Sequence, residues 1–183
     1  MEPREVADRY TAIAEGLGAR VAGCTTAAWG VSTPCPEWTV RDILEHVVGV
    51  HRSVLALLDD PAADPEAGED AAAAWKTVTA AVRQALRDPG RATRIVSPRF
   101  GDMPFEDLVS RMVCSDTLVH TWDLARATGQ DERLDEHAVA VAWTWMQPAG
   151  DTLRASGAFG PAVEPPVGAD TQTKLLCFLG RTV

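Results

Sequence analysis

The sequence has no long apolar run, no excess of basic residues and no closely spaced pair of cysteines. A bilayer-spanning helix needs about 20 consecutive apolar residues, so the missing run argues against a membrane protein. The 17 lysines and arginines are outnumbered by 26 aspartates and glutamates, which gives a net charge of −9. This acidic balance argues against nucleic acid or an anionic membrane surface as the main partner.

The four cysteines are scattered along the chain, at Cys24, Cys35, Cys114 and Cys177. This spacing predicts small buried or half-buried thiols and not a disulfide framework. Cys35, which lies between two prolines, is the cysteine with a case for function. The amino terminus opens directly into an amphipathic pattern and has no signal-peptide core, so we expect a cytoplasmic protein.

What the sequence does contain is a series of amphipathic helical patterns, in a chain of 183 residues that is 46% hydrophobic. This length suits one compact domain, residues 1–183. Periodicity, caps and breakers predict helices from Val6 to about Gly23, Thr39 to Leu58, about Glu69 to Arg87, Phe105 to Gly129, Leu134 to about Leu153 with a break at Pro148, and Thr171 to Leu179. An acidic linker follows Leu58, and a short β-like run covers Thr93 to Val96. The predicted class is all-α: a four-helix bundle with a long crossover connection and extra C-terminal helices.

The fourth predicted helix carries three titratable side chains in the middle of its apolar arc. At 100° per residue, Asp116, His120 and Asp123 recur at i, i+4 and i+7 on the arc that also contains Met112. The opposite side is predicted to be polar and carries Ser110, Arg111, Cys114, Thr117 and Thr121. Because an unpaired buried carboxylate is costly, the three groups either form a hydrogen-bonded core network or hold a cation.

Asp116 and His120 lie one helical turn apart, so both can reach a single ion. A carboxylate with an imidazole suits zinc, nickel, iron(II) or manganese, and a further ligand must come from another helix. The second predicted helix offers two histidines. Spacing alone puts His51 near the centre of its apolar arc and His46 at the edge, which favours His51 as the inward group, also compatible with a satisfied core histidine. His137 is predicted to lie on the surface.

Two blocks of sequence resemble a known family. Residues 33–49 read Thr-Pro-Cys-Pro-Glu-Trp-Thr-Val-Arg-Asp-Ile-Leu-Glu-His-Val-Val-Gly, and residues 119–125 read Val-His-Thr-Trp-Asp-Leu-Ala. In this order they resemble the DinB-like superfamily, and more narrowly the actinobacterial branch related to the N-terminal domain of mycothiol-dependent maleylpyruvate isomerase. The resemblance covers most of the chain, including Gly180-Arg181 near its end.

The resemblance implies a DinB-like bundle that holds a divalent metal, zinc in first place, through His46, Asp116 and His120. The isomerase has glutamate at the position of Asp116, so this chain offers a shorter carboxylate. Asp123 follows the histidine block, and we interpret it as a residue that orients an imidazole from behind the ligands. For His46 and His51, the resemblance therefore disagrees with spacing, and we follow the resemblance: His46 is the predicted ligand and His51 a core residue.

Three protein ligands leave a coordination position open, which is typical of catalytic and not of structural sites. A metal there can lower the pKa of a bound thiol, and the resemblance points to mycothiol, so a thiol-dependent transferase or isomerase is the first hypothesis. A metal-dependent hydrolase and a non-catalytic metal- or ligand-binding protein stay open. The expected partners are a small thiol and an electrophilic substrate, and a homodimer is allowed.

Overall fold

The structure, a computed structural model, describes residues 3–65, 69–99, 101–155 and 159–183. Within these ranges most residues are helical, and the strands are β1 (Ile95–Val96) and β2 (Met103–Pro104), which pair antiparallel. The all-α class is therefore confirmed, and of the β-like run predicted from Thr93 to Val96 only Ile95 and Val96 form a strand. Residues 66–68 of the predicted acidic linker lie outside the described residues.

The predicted helices occur in the predicted order, and a short helix that was not predicted, α4, lies between the third and the fourth. The bounds are α1 (Pro3–Ala22), α2 (Val40–Ala56), α3 (Ala71–Arg87), α4 (Pro89–Ala92), α5 (Phe105–Leu108), α6 (Cys114–Thr128), α7 (Glu136–Met146), α8 (Gly150–Ala155) and α9 (Thr171–Phe178). A 3₁₀ turn at Gln147–Ala149 separates α7 from α8, which confirms the break at Pro148. By its internal contacts the chain divides into two compact units, residues 1–132 and residues 133–183.

The first unit is a four-helix bundle made of α1, α2, α3 and α6. Helix α1 packs against α3 and α6, and α2 packs against the same two helices, so α1 and α2 are placed diagonally. The connection of residues 23–39 therefore crosses the bundle; the sequence predicts a long crossover connection without assigning it to a segment. The core of this bundle contains fully buried side chains from each of its four helices, among them Leu17, Ile43, Val78 and Leu124. Each such aliphatic side chain contributes about 1.5–3 kcal/mol through its burial.

Helix α2 begins where the sequence predicts it, because Thr39 and Asp42 form a reciprocal capping box. The Asp42 carboxylate accepts from the backbone N–H of Thr39 at 2.7 Å, and the Asp42 N–H donates to the Thr39 hydroxyl at 3.4 Å. The hydrogen bonds with Thr39 lower the pKa of Asp42, which keeps this carboxylate ionised. This cap fixes the helical phase that carries both His46 and His51.

From Cys114 to Ala125, every residue of α6 except Asp116 is buried, which corrects the prediction of a polar side. Of the residues predicted to lie there, Ser110, Cys114, Thr117 and Thr121 are buried and Arg111 is exposed, whereas Met112 of the predicted apolar arc is 40% exposed. One reason is a π-helical turn at Val109–Val113, which takes up an extra residue and shifts the helical phase by about 100°.

The other reason is the position of α6 between α1 and α2, where the hydroxyl groups of Ser110 and Thr121 have hydrogen-bond partners. Buried Arg9 of α1 donates to the Ser110 hydroxyl at 2.6 Å, and Thr121 donates to the Thr117 carbonyl at 2.7 Å. A hydroxyl group that is satisfied in this way does not need water, so a helix face of serine and threonine can be buried.

The second unit, residues 133–183, is built on the packing of α7 against α9. Trp143 and Phe178 meet edge to face with ring centroids 5.6 Å apart. The segment before α9 returns to it through a hydrogen bond from the Val163 N–H to the Cys177 carbonyl, at 2.8 Å. No helix in the described ranges of the chain is both long and apolar enough to span a bilayer.

Candidate metal centre

The packing of α2 against α6 brings His46 to Asp116 and His120. His46 Nε2 lies 3.0 Å from Asp116 Oδ1, and His120 Nε2 lies 3.6 Å from the same oxygen. Each of the three residues offers one ligand atom, and these atoms all lie within 4.8 Å of one another. The three residues predicted as ligands therefore converge on one place in the bundle.

The cluster is partly open to solvent. The exposed fraction of the side chain is 33% for His46, 25% for Asp116 and 10% for His120. Asp116 Oδ2 is itself buried, and no described residue donates a hydrogen bond to it. A buried carboxylate oxygen without a donor is costly, and a cation is the kind of partner that would satisfy it.

The His46–Asp116 contact changes the titration of both groups. The hydrogen bond with Asp116 raises the pKa of His46 above its ordinary value, against the smaller opposing effect of burial. Burial alone would raise the pKa of Asp116, but the hydrogen bond with His46 and the nearby imidazoles outweigh it and hold that pKa below its ordinary value. When His46 is protonated, its proton therefore lies next to Asp116, in the position where a metal cation would bind.

Asp123 lies behind His120 and is completely buried. Its Oδ2 is 3.0 Å from His120 Nδ1, and because a carboxylate only accepts, Nδ1 carries the hydrogen. That tautomer leaves the lone pair of His120 on Nε2, on the side of Asp116. Asp123 thus has the geometry of a residue that orients an imidazole ligand.

The loop before α2 closes over the cluster with Trp38 and Cys35. The ring of half-buried Trp38 lies 4.8 Å from the ring of His46 and 5.8 Å from the ring of His120, centroid to centroid. The Cys35 thiol donates to Asp123 Oδ2 at 3.3 Å. The sequence gives Cys35 a case for function but no partner, and it does not connect Trp38 to the histidines. The available signal was the Pro-Cys-Pro-Glu-Trp run directly before the cap of α2.

His51 lies away from this cluster, although it shares α2 with His46. It has no exposed surface, and its Nδ1 donates to the Val47 carbonyl at 2.8 Å. Its ring packs against Trp75 and Tyr10, with centroids 5.0 and 5.9 Å away. Spacing was therefore right that His51 points inward, and the interpretation of it as a core residue is confirmed. His137 is exposed, as predicted.

Comparisons with known proteins place these residues in a family. Residues 10–125 match the family described as the mycothiol maleylpyruvate isomerase N-terminal domain, a stretch that includes both sequence blocks and the whole cluster. The chain belongs to this family. Its relatives Uncharacterized protein MT0763 and Uncharacterized protein Rv0738 come from Mycobacterium tuberculosis, strains CDC 1551 / Oshkosh and ATCC 25618 / H37Rv respectively.

Each of these two relatives is 31% identical to the chain over 171 residues, which covers 92% of this chain and 93% of the relative. The similarity therefore extends beyond the family domain into residues 133–183. The search of solved structures gave no significant match. Family membership supports the all-α bundle class that the structure shows.

Proposed function

We propose that the chain binds one divalent cation, zinc in first place, through His46, Asp116 and His120. The observation that carries this proposal is the convergence of two imidazole nitrogens on a carboxylate whose second oxygen is buried without a described donor. Two imidazoles and one carboxylate are a donor set that zinc commonly takes in catalytic sites. The residues present therefore fit the cation.

The same residues suit a site that exchanges ligands with solvent. Three protein ligands leave at least one coordination position for another molecule, and the partial exposure of His46 and Asp116 provides access to it. Asp123 holds the Nδ1 hydrogen of His120 and keeps the ring in one orientation. The ring of Trp38 is stacked with the ring of His120 and tilted against the ring of His46.

We further propose that a small thiol, mycothiol in first place, is the molecule that enters. Membership of a family described by mycothiol maleylpyruvate isomerase supports this choice. A free thiol with a pKa near 8.5 is only a few per cent ionised at pH 7, and a bound cation lowers that pKa. The reaction class that follows is transfer of the thiol to an electrophile, or isomerisation of a substrate through a transient thiol adduct.

The test uses the full chain, purified without a histidine tag and loaded with cobalt in place of zinc. Elemental analysis should give about one metal per chain, and Asp116→Ala or His120→Ala should abolish it. Titration with mycothiol should add a thiolate–cobalt band in the near ultraviolet, together with conjugation of an electrophile such as chlorodinitrobenzene. Glutathione and bacillithiol are the matched thiol controls. The titration is repeated in Cys35→Ser, so that the protein's own thiol cannot supply the band.

Each other outcome contradicts a stated part of the proposal. Absence of stoichiometric metal under several loadings would leave a hydrogen-bonded core network. Turnover of esters or amides without any thiol would identify a hydrolase. Firm metal binding with neither a thiol band nor turnover would identify a non-catalytic binding protein.

A further inference from the structure

A second set of metal-ligand atoms lies on the other side of the His120 ring. It consists of Cys35 Sγ, Asp123 Oδ2 and His120 Nδ1, all within 4.8 Å of one another. The sulfur is 3.3 Å from the carboxylate oxygen and 3.9 Å from the nitrogen, and the oxygen and nitrogen are 3.0 Å apart. His120 therefore faces one ligand set with Nε2 and a different set with Nδ1.

These separations are close to those around a tetrahedral cation. Zinc bonds of about 2.3 Å to sulfur and about 2.0–2.1 Å to nitrogen or oxygen place neighbouring ligands about 3.3–3.6 Å apart. The observed distances of 3.0, 3.3 and 3.9 Å lie on both sides of that range. Shifts of a few tenths of an ångström would bring all three atoms to bonding distance from one ion.

The sulfur is held in place by its loop before any ion binds. The Cys35 N–H donates to the Thr33 hydroxyl at 3.2 Å, and the Cys35 carbonyl accepts from the Trp38 N–H at 3.1 Å. The ends of the loop are joined by a β-bridge between Ser32 and Thr39. Cys35 is half-buried and Asp123 is fully buried, so an ion from solvent has access on the side of the sulfur.

We propose that Cys35, Asp123 and His120 Nδ1 form a second cation site, which takes a thiophilic divalent cation such as zinc or cadmium. A thiolate ligand selects such ions over magnesium, calcium or manganese, which prefer oxygen donors. On binding, the Cys35 thiol and His120 Nδ1 each release a proton to solvent. The thiolate, the Asp123 carboxylate and the His120 imidazolate would then supply three negative charges, and the charge of the imidazolate would be shared with the first site.

The competing interpretation is that Asp123 only orients His120 and that Cys35 is a packed thiol that happens to reach the same carboxylate. The two interpretations differ in what the sulfur binds. In a cation site the sulfur is a thiolate in contact with the ion, and its affinity for the ion depends on Asp123. In the packing interpretation any cadmium bound by Cys35 is held by one thiol alone.

The experiment titrates the full chain, loaded with only one equivalent of zinc so that the second site stays open, with cadmium and follows the thiolate–cadmium band in the ultraviolet. The wild type should show a band that saturates at one equivalent, and Cys35→Ser should lose it. Cys24→Ser is the matched control, because Cys24 is also a half-buried thiol but donates to the Arg20 carbonyl. It should keep the band. Asp123→Asn should weaken cadmium binding by more than about tenfold.

His46→Gln separates this proposal from the proposed function, because it removes a ligand of the first site alone and should leave the band. A band that survives Cys35→Ser, or that keeps its affinity in Asp123→Asn, would overturn the second site. Circular dichroism of each variant checks that it is folded. Cadmium-113 NMR of the wild type gives an independent readout, since one sulfur with nitrogen and oxygen donors is expected downfield of an all-oxygen and nitrogen site.

Discussion

The two histidines of α2 lie five residues apart and have opposite environments. His51 is enclosed by Trp75, Tyr10 and the Val47 carbonyl, and burial lowers its pKa to about 4. His46 is one-third exposed, and Asp116 raises its pKa. The difference comes from the opposing helices, because α6 presents a carboxylate to His46, whereas α1 and α3 present aromatic rings to His51. A histidine can therefore point into the core without being a metal ligand.

The largest effect should separate the two histidines by metal binding. His46→Gln is expected to weaken binding at the first site by more than about a hundredfold, because it removes a ligand from a set of three. His51→Gln should keep the metal and instead lower the free energy of unfolding by about 1–3 kcal/mol, because it disturbs a buried hydrogen bond and ring packing. Metal content after dialysis and urea unfolding measure the two quantities.

The opposite pattern would contradict the assignment. If His51→Gln released the metal and His46→Gln retained it, His51 would be the ligand and the raised pKa of His46 would reflect an ion pair with Asp116 alone. His137→Gln serves as the control for a general effect of losing an imidazole, since His137 is exposed.

A second difference should appear in how stability depends on pH. Native His51 stays neutral down to about pH 4, whereas an unfolded histidine takes up a proton below about pH 6.5. The unfolded chain therefore binds more protons in this window, and stability falls as the pH is lowered from 6.5 to 4. The gap between the two pKa values corresponds to about 3 kcal/mol of unfolding free energy.

Urea unfolding of the metal-free protein at several pH values between 4 and 7.5 measures this loss. His51→Gln should remove its share of the slope, and His137→Gln should not. If the unfolding free energies of the wild type and of His51→Gln depended on pH in the same way, a water molecule or another hydrogen-bond partner would have to stabilise protonated His51 in the native protein.

The sequence alone could predict those features of the two histidines' surroundings that depend on neighbouring residues in the chain. Thr39 and Asp42 fix the start of α2 within one turn, and the four-residue spacing of Asp116 and His120 predicts that they share a site. The choice of His46 over His51 required family resemblance, because His46 lies at the edge of the apolar arc and such a residue faces a neighbouring helix. Periodicity measures burial and carries no information on what the opposing helix presents.

The parts that sequence could not predict depend on contacts between distant residues or on irregular backbone. Cys35 meets His120 across 85 positions of sequence, and only the closed loop of residues 31–39 brings them together. The polar side predicted for α6 was wrong because the π-helical turn before Cys114 changes the helical phase and because α1 supplies Arg9 to Ser110. Neither the π-helical turn nor the contact between Arg9 and Ser110 is marked by residues at a fixed spacing in the sequence.

A smaller effect is expected from Asp123, which we propose orients His120. Asp123→Asn should weaken cation binding at the first site by about ten- to a hundredfold, because it removes the charged acceptor that holds the His120 imidazole. Glu45→Gln is the matched control: it makes the same chemical change at an exposed position next to His46 and should leave affinity unchanged. Competition with a fluorescent zinc chelator measures both. Equal affinities would show that the His120 ring is held by packing alone.

The smallest effect concerns the cap that precedes both histidines. Thr39→Ala should lower the unfolding free energy by about 1 kcal/mol, because it removes the side-chain half of the capping box. Asp70→Ala is the matched variant, since Asp70 caps α3 by accepting from the Ala73 N–H at 2.8 Å.

The two cap variants should differ in one respect. Thr39 directly follows Trp38, whose ring lies on both histidines of the cluster, so Thr39→Ala should also reduce zinc affinity a few-fold, and Asp70→Ala should not. The increase in melting temperature on adding zinc is the readout, because it compares each variant with its own metal-free form. If that increase were equal in the two variants, the loop of residues 31–39 would keep Trp38 in place without the cap, and its bridge between Ser32 and Thr39 would be sufficient.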